Sequence, residues 1–559
     1  MWSVLDGGRS DPSPPGEARR VDTEPSRASN WNVQITPSPW WRDSVCYQIY
    51  VRSFADGDGD GVGDLVGIRE RLPYLARLGV DSVWITPFYT SPQLDHGYDV
   101  ADYRDVDPMF GTLADFDTML ATAHDLGIRV IVDVVPNHTS SRHPWFQEAL
   151  AAPPGSPARD RYVFRDGSGP DGAEPPNNWV SMFGGCAWSR LEDGQWYLHL
   201  FDSSQPDLNW WNDEVGDEFE SVLRFWLDRG VDGFRIDVAH GLYKPLDLTP
   251  REPDDKPPHP MWDQPEVHEV YRRWHKVLGE YDGERMAVAE AWVDSAESMS
   301  RYIRPDELQQ SFNFQWLEAE WSAEAFGRVI TETLDAVGLV GASPTWVLSN
   351  HDVERHTTRY GGGAVGLDRA RAAVLTMMAL PGSAYVYQGE ELGLEQVDLE
   401  PQHRQDPSFH RTGGEEPGRD GCRVPIPWSG STAPFGFGPG AGQPWLPMPE
   451  VFASQSVEVQ EDDPASTLSF YKALLAMRRE LAAGLDHRVA LVDSPSGSLA
   501  FRRGGDDEAQ LVCVVNCGTA AVAVPDRAGE LLMSSGAGVS GDGSERLLPP
   551  DTAAWFRHA

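Results

Sequence analysis

The sequence is poor in lysine, in cysteine and in long apolar runs, and each scarcity excludes something. Lys244, Lys256, Lys276 and Lys472 are its only lysines. The remaining basic residues are arginines, a preference that reads as genomic composition rather than function. Basic residues number 46 against 86 acidic ones, for a formal net charge of -40. Such an excess disfavours nucleic acid and anionic membrane surfaces as partners and suits a neutral substrate. Five scattered cysteines, Cys46, Cys186, Cys422, Cys513 and Cys517, imply no disulfide framework. Cys513 and Cys517 lack the His and Cys company of a zinc site. No stretch approaches the roughly 20 apolar residues of a membrane span, and the N-terminus has no apolar signal core. The expectation is a cytoplasmic enzyme.

What is present is a long chain with an alternating texture. At 559 residues it exceeds one ordinary domain and can bury a large core. Residues 1–38 are rich in Pro, Ser, Gly and charge, without periodicity, and read as a disordered leader. Order begins at Trp40, followed by a strand-like Val45–Phe54. A helix over Leu65–Leu78 leads to a strand over Val80–Pro87, and a helix over Asp115–Leu126 to a strand over Arg129–His138. Further strands are predicted at Phe234–Val238, Met286–Trp292, Ser311–Trp316, Thr345–Asp352 and Ala384–Tyr387. Eight strand–helix units imply a (β/α)8 barrel with its active site at the C-terminal strand ends. The barrel is expected to take residues 39–138 and 207–483, interrupted by a small inserted domain over 139–206. A Gly- and Pro-rich excursion over 395–465 should lie at the barrel mouth. An amphipathic helix over Thr467–Leu481 closes it, and 484–559 read as a C-terminal antiparallel β-sandwich.

The chemistry gathers around Gly230-Val-Asp-Gly-Phe-Arg-Ile-Asp-Val238. Arg235 and Asp237 stand at i and i+2 in an apolar run, so they project from one face of a buried strand. A structural ion pair is the plain explanation for this fragment alone. Glu290 and Asp352 then end two other strands, with His138 and His351 beside them. Buried acids are individually expensive, so three at one barrel mouth point to chemistry. A carboxylate nucleophile with a carboxylic acid/base suits retaining glycoside hydrolysis, with the two groups about 5–5.5 Å apart. Separately, Asp56, Asp58, Asp60 and Asp64 alternate with glycines in a loop like the first half of an EF-hand. Position 12 of such a loop would be Gly67, which removes the sensor type, but hard oxygens on a glycine-rich turn suit calcium.

Five ordered motifs sharpen this. Asp133-Val-Val-Pro-Asn-His138, Gly233-Phe-Arg-Ile-Asp237, Ala289-Glu-Ala-Trp292 and Ser349-Asn-His-Asp352 resemble the four signatures of glycoside hydrolase family 13, the α-amylase family. Gln205-Pro-Asp-Leu-Asn-Trp210 resembles the extra signature of its oligo-1,6-glucosidase-like branch. The resemblance runs from about Trp40 to the C-terminus. It implies Asp237 as nucleophile, Glu290 as general acid/base and Asp352 as transition-state stabiliser. Arg235 would keep Asp237 ionised by depressing its pKa, and His138 and His351 would donate to the sugar. Asp95, in Asp95-His-Gly-Tyr98, would pair with Arg423 and clamp the terminal 4-hydroxyl, with Tyr98 stacked beneath the ring. The Asp-rich loop matches a structural calcium site of the branch, with the Val62 carbonyl as a further ligand.

These implications describe an exo-acting α-glucosidase of actinobacterial type acting on small oligosaccharides, as a monomer or small homo-oligomer. Val238, just after the nucleophile, is common in α-1,6-cleaving members. Ala239-His-Gly and Ala291-Trp resemble α-1,4 enzymes, and the balance falls to α-1,4. Two rivals stand beside this: a glucosyltransferase or isomerase using the same carboxylates, and an inactive transport subunit. The retained acids and the missing anchor weigh against the last.

Overall fold

The computed structural model describes residues 38–252, 259–440, 442–482, 485–505, 510–525, 528–541 and 546–558. The predicted leader therefore lies, except for Ser38, outside the described residues.

Eight parallel strands form the frame: β1 (Val45–Ile49), β2 (Ser82–Ile85), β3 (Arg129–Val134), β4 (Gly233–Ile236), β5 (Met286–Ala289), β6 (Gln310–Ser311), β7 (Thr345–Val347) and β8 (Ser383–Tyr387). Their order in the sheet is β6-β5-β4-β3-β2-β1-β8-β7. The ring closes between β6 and β7 through a backbone bond from Asn313 N–H to the Thr345 carbonyl, 3.2 Å. Val and Ile are the commonest residues of these strands, and nearly all are buried, as parallel strands covered on both faces require.

The helices between them follow local chemistry. Leu65–Leu78 starts at Asp64, whose side chain accepts from Gly67 N–H, and stops at Gly79 in the left-handed conformation. Leu113–Asp125 begins with a capping box between Thr112 and Asp115.

Most predicted strands are shorter than expected, and in two of them a short helix replaces the remainder. The first ends at Ile49, and Val51–Phe54 turns as a short helix instead. Apolar periodicity over so few residues does not separate strand from helix. The sixth is only Gln310–Ser311, because the Asn313 side chain caps a helix over Phe314–Leu317 by accepting from Trp316 N–H.

Residues after β3 fold into short helices and a three-stranded antiparallel sheet, Phe164–Asp166, Gln195–Leu198 and Trp188–Arg190. They return to the barrel through the His138–Asp207 bridge. The C-terminal strands Val489–Val492, Ser498–Arg503, Gln510–Asn516, Thr552–His558 and Glu530–Ser534 make one antiparallel sheet. Val489–Val492 and Glu530–Ser534 are its edge strands, with weak alternation. One face of this sheet packs Phe501, Val515 and Trp555 into the barrel core. The other face packs Val512, Val514 and Phe556 under the two-stranded ladder of Val522–Ala523 and Leu547–Leu548. No helix of the described residues is long and apolar enough to cross a membrane.

Candidate active site

Strand register brings the acids together. Asp133 on β3 is the cross-strand partner of Arg235 on β4, and Ile236 is the partner of Ala289 on β5. Asp237 and Glu290, each one residue further on, therefore leave adjacent strands at the same level. Arg235 is 1 % exposed and its guanidinium reaches all three carboxylates. One terminal nitrogen donates to Asp237 at 2.7 Å and to Asp133 at 3.0 Å; the other lies 2.8 Å from Glu290 Oε2. The plane also lies 5.0 Å from the Trp84 ring and 5.6 Å from the Tyr98 ring. Glu290 accepts two further bonds, from Val238 N–H at 2.9 Å and from the Trp292 indole at 3.2 Å. Val238 reaches it from φ +46°, an uncommon conformation for a β-branched residue and a mark of local strain.

One cation cannot neutralise three acids. Burial pushes Asp237 above the usual carboxylate range, and the Glu290 and Asp133 charges push the same way against the Arg235 guanidinium. The Arg235 guanidinium opposes that rise and so favours the Asp237 carboxylate, as expected of a neighbouring cation. Burial likewise raises Glu290, and raises Asp133 to about 7. Asp352 goes the other way. Its carboxylate meets Arg423 at 2.9 Å, Arg419 at 3.1 Å and His351 Nε2 at 3.2 Å. Burial raises its pKa, but these neighbours overcome that and leave it well below the ordinary value.

Of the residues singled out from sequence, Asp95, Tyr98, His138, Asp237, Val238, Glu290 and Asp352 line one cavity. Met182, Phe183, Phe201, His240, Trp292 and Arg419 complete it. The expected Asp95–Arg423 pair is corrected. Asp95 is bound by Arg419 at 2.7 Å and by the Gln205 amide at 3.0 Å. The turn Asp420–Cys422 separates the two arginines and carries Arg423 underneath, where it donates to the His351 carbonyl and to Asp352. Arg419 stays at the wall, anchored from behind by Asp406 at 2.6 Å. A larger cavity shares Asp352 and Arg419 with the first.

His351 does not line the cavity. Its Nδ1 lies 2.7 Å from the Gln48 amide nitrogen and its Nε2 2.7 Å from the Tyr98 hydroxyl. The two rings stack with centroids 5.3 Å apart, so His351 positions Tyr98 and Asp352. Burial lowers His138 to about 4, so near neutral pH it is an uncharged ring.

Gln205 lies inside Gln205–Trp210, Arg419 inside Arg419–Pro425 and His240 inside Ala239-His-Gly, with no task legible for any of them, and Asp406 lies in no motif. Motif membership was the signal for the first three. Asp406 has none, since it meets Arg419 only through the long excursion after β8.

Asp56, Asp58 and Asp64 bring carboxylate oxygens within 4.8 Å of one another. Asp60 is not part of that group; its carboxylate accepts from Val62 N–H at 2.8 Å. Three hard oxygens without a basic side chain among them fit a calcium ion, which takes six to eight such ligands. Gly61, at φ +95°, lies where a Cβ would stand 2.2 Å from the Gln443 carbonyl, so only glycine lets the loop pack there.

Fold and site together define a barrel enzyme that works with paired carboxylates, a glycoside hydrolase. The family model described as "Alpha amylase, catalytic domain" matches residues 48–485, and a "Domain of unknown function (DUF3459)" matches residues 487–555. The chain belongs to the α-amylase family. It is 40 % identical over 505 residues to a probable alpha-glucosidase of Rhizobium meliloti (strain 1021), covering 85 % of this chain and 89 % of that protein. It is 34 % identical over 559 residues to an oligo-1,6-glucosidase of Heyndrickxia coagulans, covering 92 % and 99 %. Among solved structures, the alpha-glucosyl transfer enzyme XgtA superposes with a TM-score of 0.86 at 37 % identity, covering 93 % of this chain and all of that one, 100 %. The trehalulose synthase MutB gives 0.85 at 31 %, with 93 % and 100 % covered.

Proposed function

We propose that the protein is an exo-acting, retaining α-glucosidase releasing glucose from the non-reducing end of short α-glucosides such as maltose. The observation that carries this is the single Arg235 guanidinium holding one oxygen of Asp237 and one of Glu290. Two acids bridged in this way suit the narrow spacing of a retaining pair rather than the wider gap that an inverting enzyme leaves for water. Asp237 attacks the anomeric carbon while Glu290 protonates the departing oxygen; Glu290 then takes a proton from the water that cleaves the glucosyl ester. Asp352, kept ionised by two arginines, offsets the positive charge that develops on the sugar ring. Asp95 and Arg419 close the pocket behind one ring and supply the polar groups for a terminal sugar. Tyr98, held flat by His351, offers a face to stack on.

Transfer to a sugar acceptor uses the same carboxylates, and the likeness to XgtA and MutB supports keeping it as a second reading. The α-1,6 reading draws on Val238 and on the oligo-1,6-glucosidase relatives. Time-resolved product analysis with maltose, isomaltose, sucrose and trehalose separates them. Stoichiometric early glucose from maltose is expected. Preference for isomaltose, or new disaccharides before free glucose, would replace the α-1,4 hydrolase by one of the others.

Two further elements belong to this reading. Asp56, Asp58 and Asp64 would hold a calcium ion whose role is to fix the loop after β1, with no part in the reaction. Five unpaired cysteines support work in a reducing compartment, the cytoplasm.

A further inference from the structure

Resting on the assignment of Glu290 as acid/base, we propose that its Oε1 carries the transferable proton and that the Trp292 indole N–H is the positioning group holding that oxygen. The two oxygens of Glu290 are not equivalent. Oε2 faces an Arg235 nitrogen at 2.8 Å and Val238 N–H at 2.9 Å. Both are donors and neither can accept, so a proton on Oε2 would point into another proton. Among the described residues Oε1 receives only the Trp292 indole, at 3.2 Å, which leaves one of its lone-pair directions for a proton. Trp292 and Glu290 both line the cavity, and Oε1 is the oxygen that Trp292 holds there.

The indole is aimed by packing. Its ring lies flat on Phe314, with centroids 3.9 Å apart and planes at 8°. Phe314 begins the short helix capped by Asn313, which is tied in turn to Thr333 at 2.7 Å. The end of β6 thus sets the direction of a donor on the end of β5.

The proton balance is simple. In the first step the Oε1 proton moves to the glycosidic oxygen. The anomeric C–O bond breaks with its electron pair on that oxygen, and Asp237 forms the new C–O bond. In the second step a water oxygen bonds to the anomeric carbon, its proton moves to Oε1, and the ester pair returns to Asp237. Trp292 N–H donates throughout and keeps its own proton. A neutral donor on Oε1 favours the carboxylate form, opposing the rise that burial imposes. The other groups facing Glu290 are Arg235, Asp237 and His240 from β4 and its turn, Asp133 from β3 and Asp352 from β7.

The test compares the full-length enzyme with Trp292→Phe, which keeps a stacking ring and removes the donor. The substrates are aryl α-glucosides whose leaving groups span several pKa units. Poor leaving groups need the proton and activated ones do not. The ratio of kcat/KM for poor over activated substrates should fall about tenfold, as loss of one oriented hydrogen bond implies. The alkaline limb of the pH profile should move up by as much as about one pH unit. Phe314→Leu, which keeps the N–H and removes the plane beneath it, should shift the ratio in the same direction by less. Glu290→Gln serves as control and should lower the ratio far more than either. If Glu290→Gln leaves the ratio unchanged, the acid/base assignment fails. If Glu290→Gln lowers it while Trp292→Phe matches the parent in ratio and pH profile, Trp292 is only a wall.

Discussion

Two groups of carboxylates follow the C-terminal ends of the barrel strands, and they are held in different ways. Asp133, Asp237 and Glu290 surround Arg235, a cation supplied by the chain and fixed by strand register. Asp56, Asp58 and Asp64 have no basic side chain among them. They are held by backbone N–H groups: Asp56 accepts from Gly59 and Gly61, and Asp64 from Gly57, Asp58 and Gly67. The first cluster is buried, and there the internal cation prevents three charges from repelling at full strength. The second is partly exposed and curls its oxygens around a point, which suits an external ion. A fixed cation gives geometry for chemistry; a captured one would give rigidity.

The difference can be broken from either side. The largest effect should come from Asp237→Asn. Loss of the nucleophile should lower kcat on the order of 10⁴-fold. Thermal stability should not fall, since two acids around one guanidinium repel less than three. Steady-state kinetics beside a calorimetric melt checks both halves, and a marked loss of stability would mean that Asp237 is chiefly structural. Next comes Arg235→Met, which strands three buried carboxylates. It should destabilise the protein by about 3–5 kcal/mol, as removing one partner of a buried ion pair does. Urea unfolding reads this, and an unchanged midpoint would sink the idea that Arg235 is the internal counter-ion.

The loop should respond to metal instead. Chelation from a calcium concentration about a hundredfold above Kd should withdraw about 2.7 kcal/mol of stability, seen as a lower Tm. Activity at 25 °C should change less than twofold. An identical Tm in chelator and in calcium would remove the metal from the loop.

The last effect is on pH. The folded pKa of Asp133 is raised by burial to about 7, above the usual carboxylate value. Its protonation therefore contributes stability that is complete below the unfolded value near 3.9 and is lost as pH rises through about 7. Asp133→Asn should flatten the decline in unfolding free energy between about pH 4 and pH 7. A decline as steep as the parent's would move that titration to another group.

Much of this was legible in the chain. The strand–helix alternation, eight strand positions, three carboxylates and the Asp-Gly loop follow from local pattern, because periodicity and turn chemistry act over a few residues. Where the sequence failed, the partner was distant. Asp95 could be read as a clamp, but its partner lies more than three hundred residues away at 419, not 423. A turn of three residues decides which arginine faces the pocket and which lies beneath it. The sixth strand is shorter than its apolar run implies because the Asn313 cap starts a helix there.

By itself, then, the sequence determined which chemical groups stand at strand ends, since the residue after a barrel strand is placed by the strand's own length and alternation. Only the tertiary structure decided how those groups share charge. Arg235 serves three acids, Asp352 takes two arginines, and Glu290 turns one oxygen to Trp292. Those are outcomes of register and packing between segments far apart in the chain, where a shift of a few ångströms changes both partner and proton.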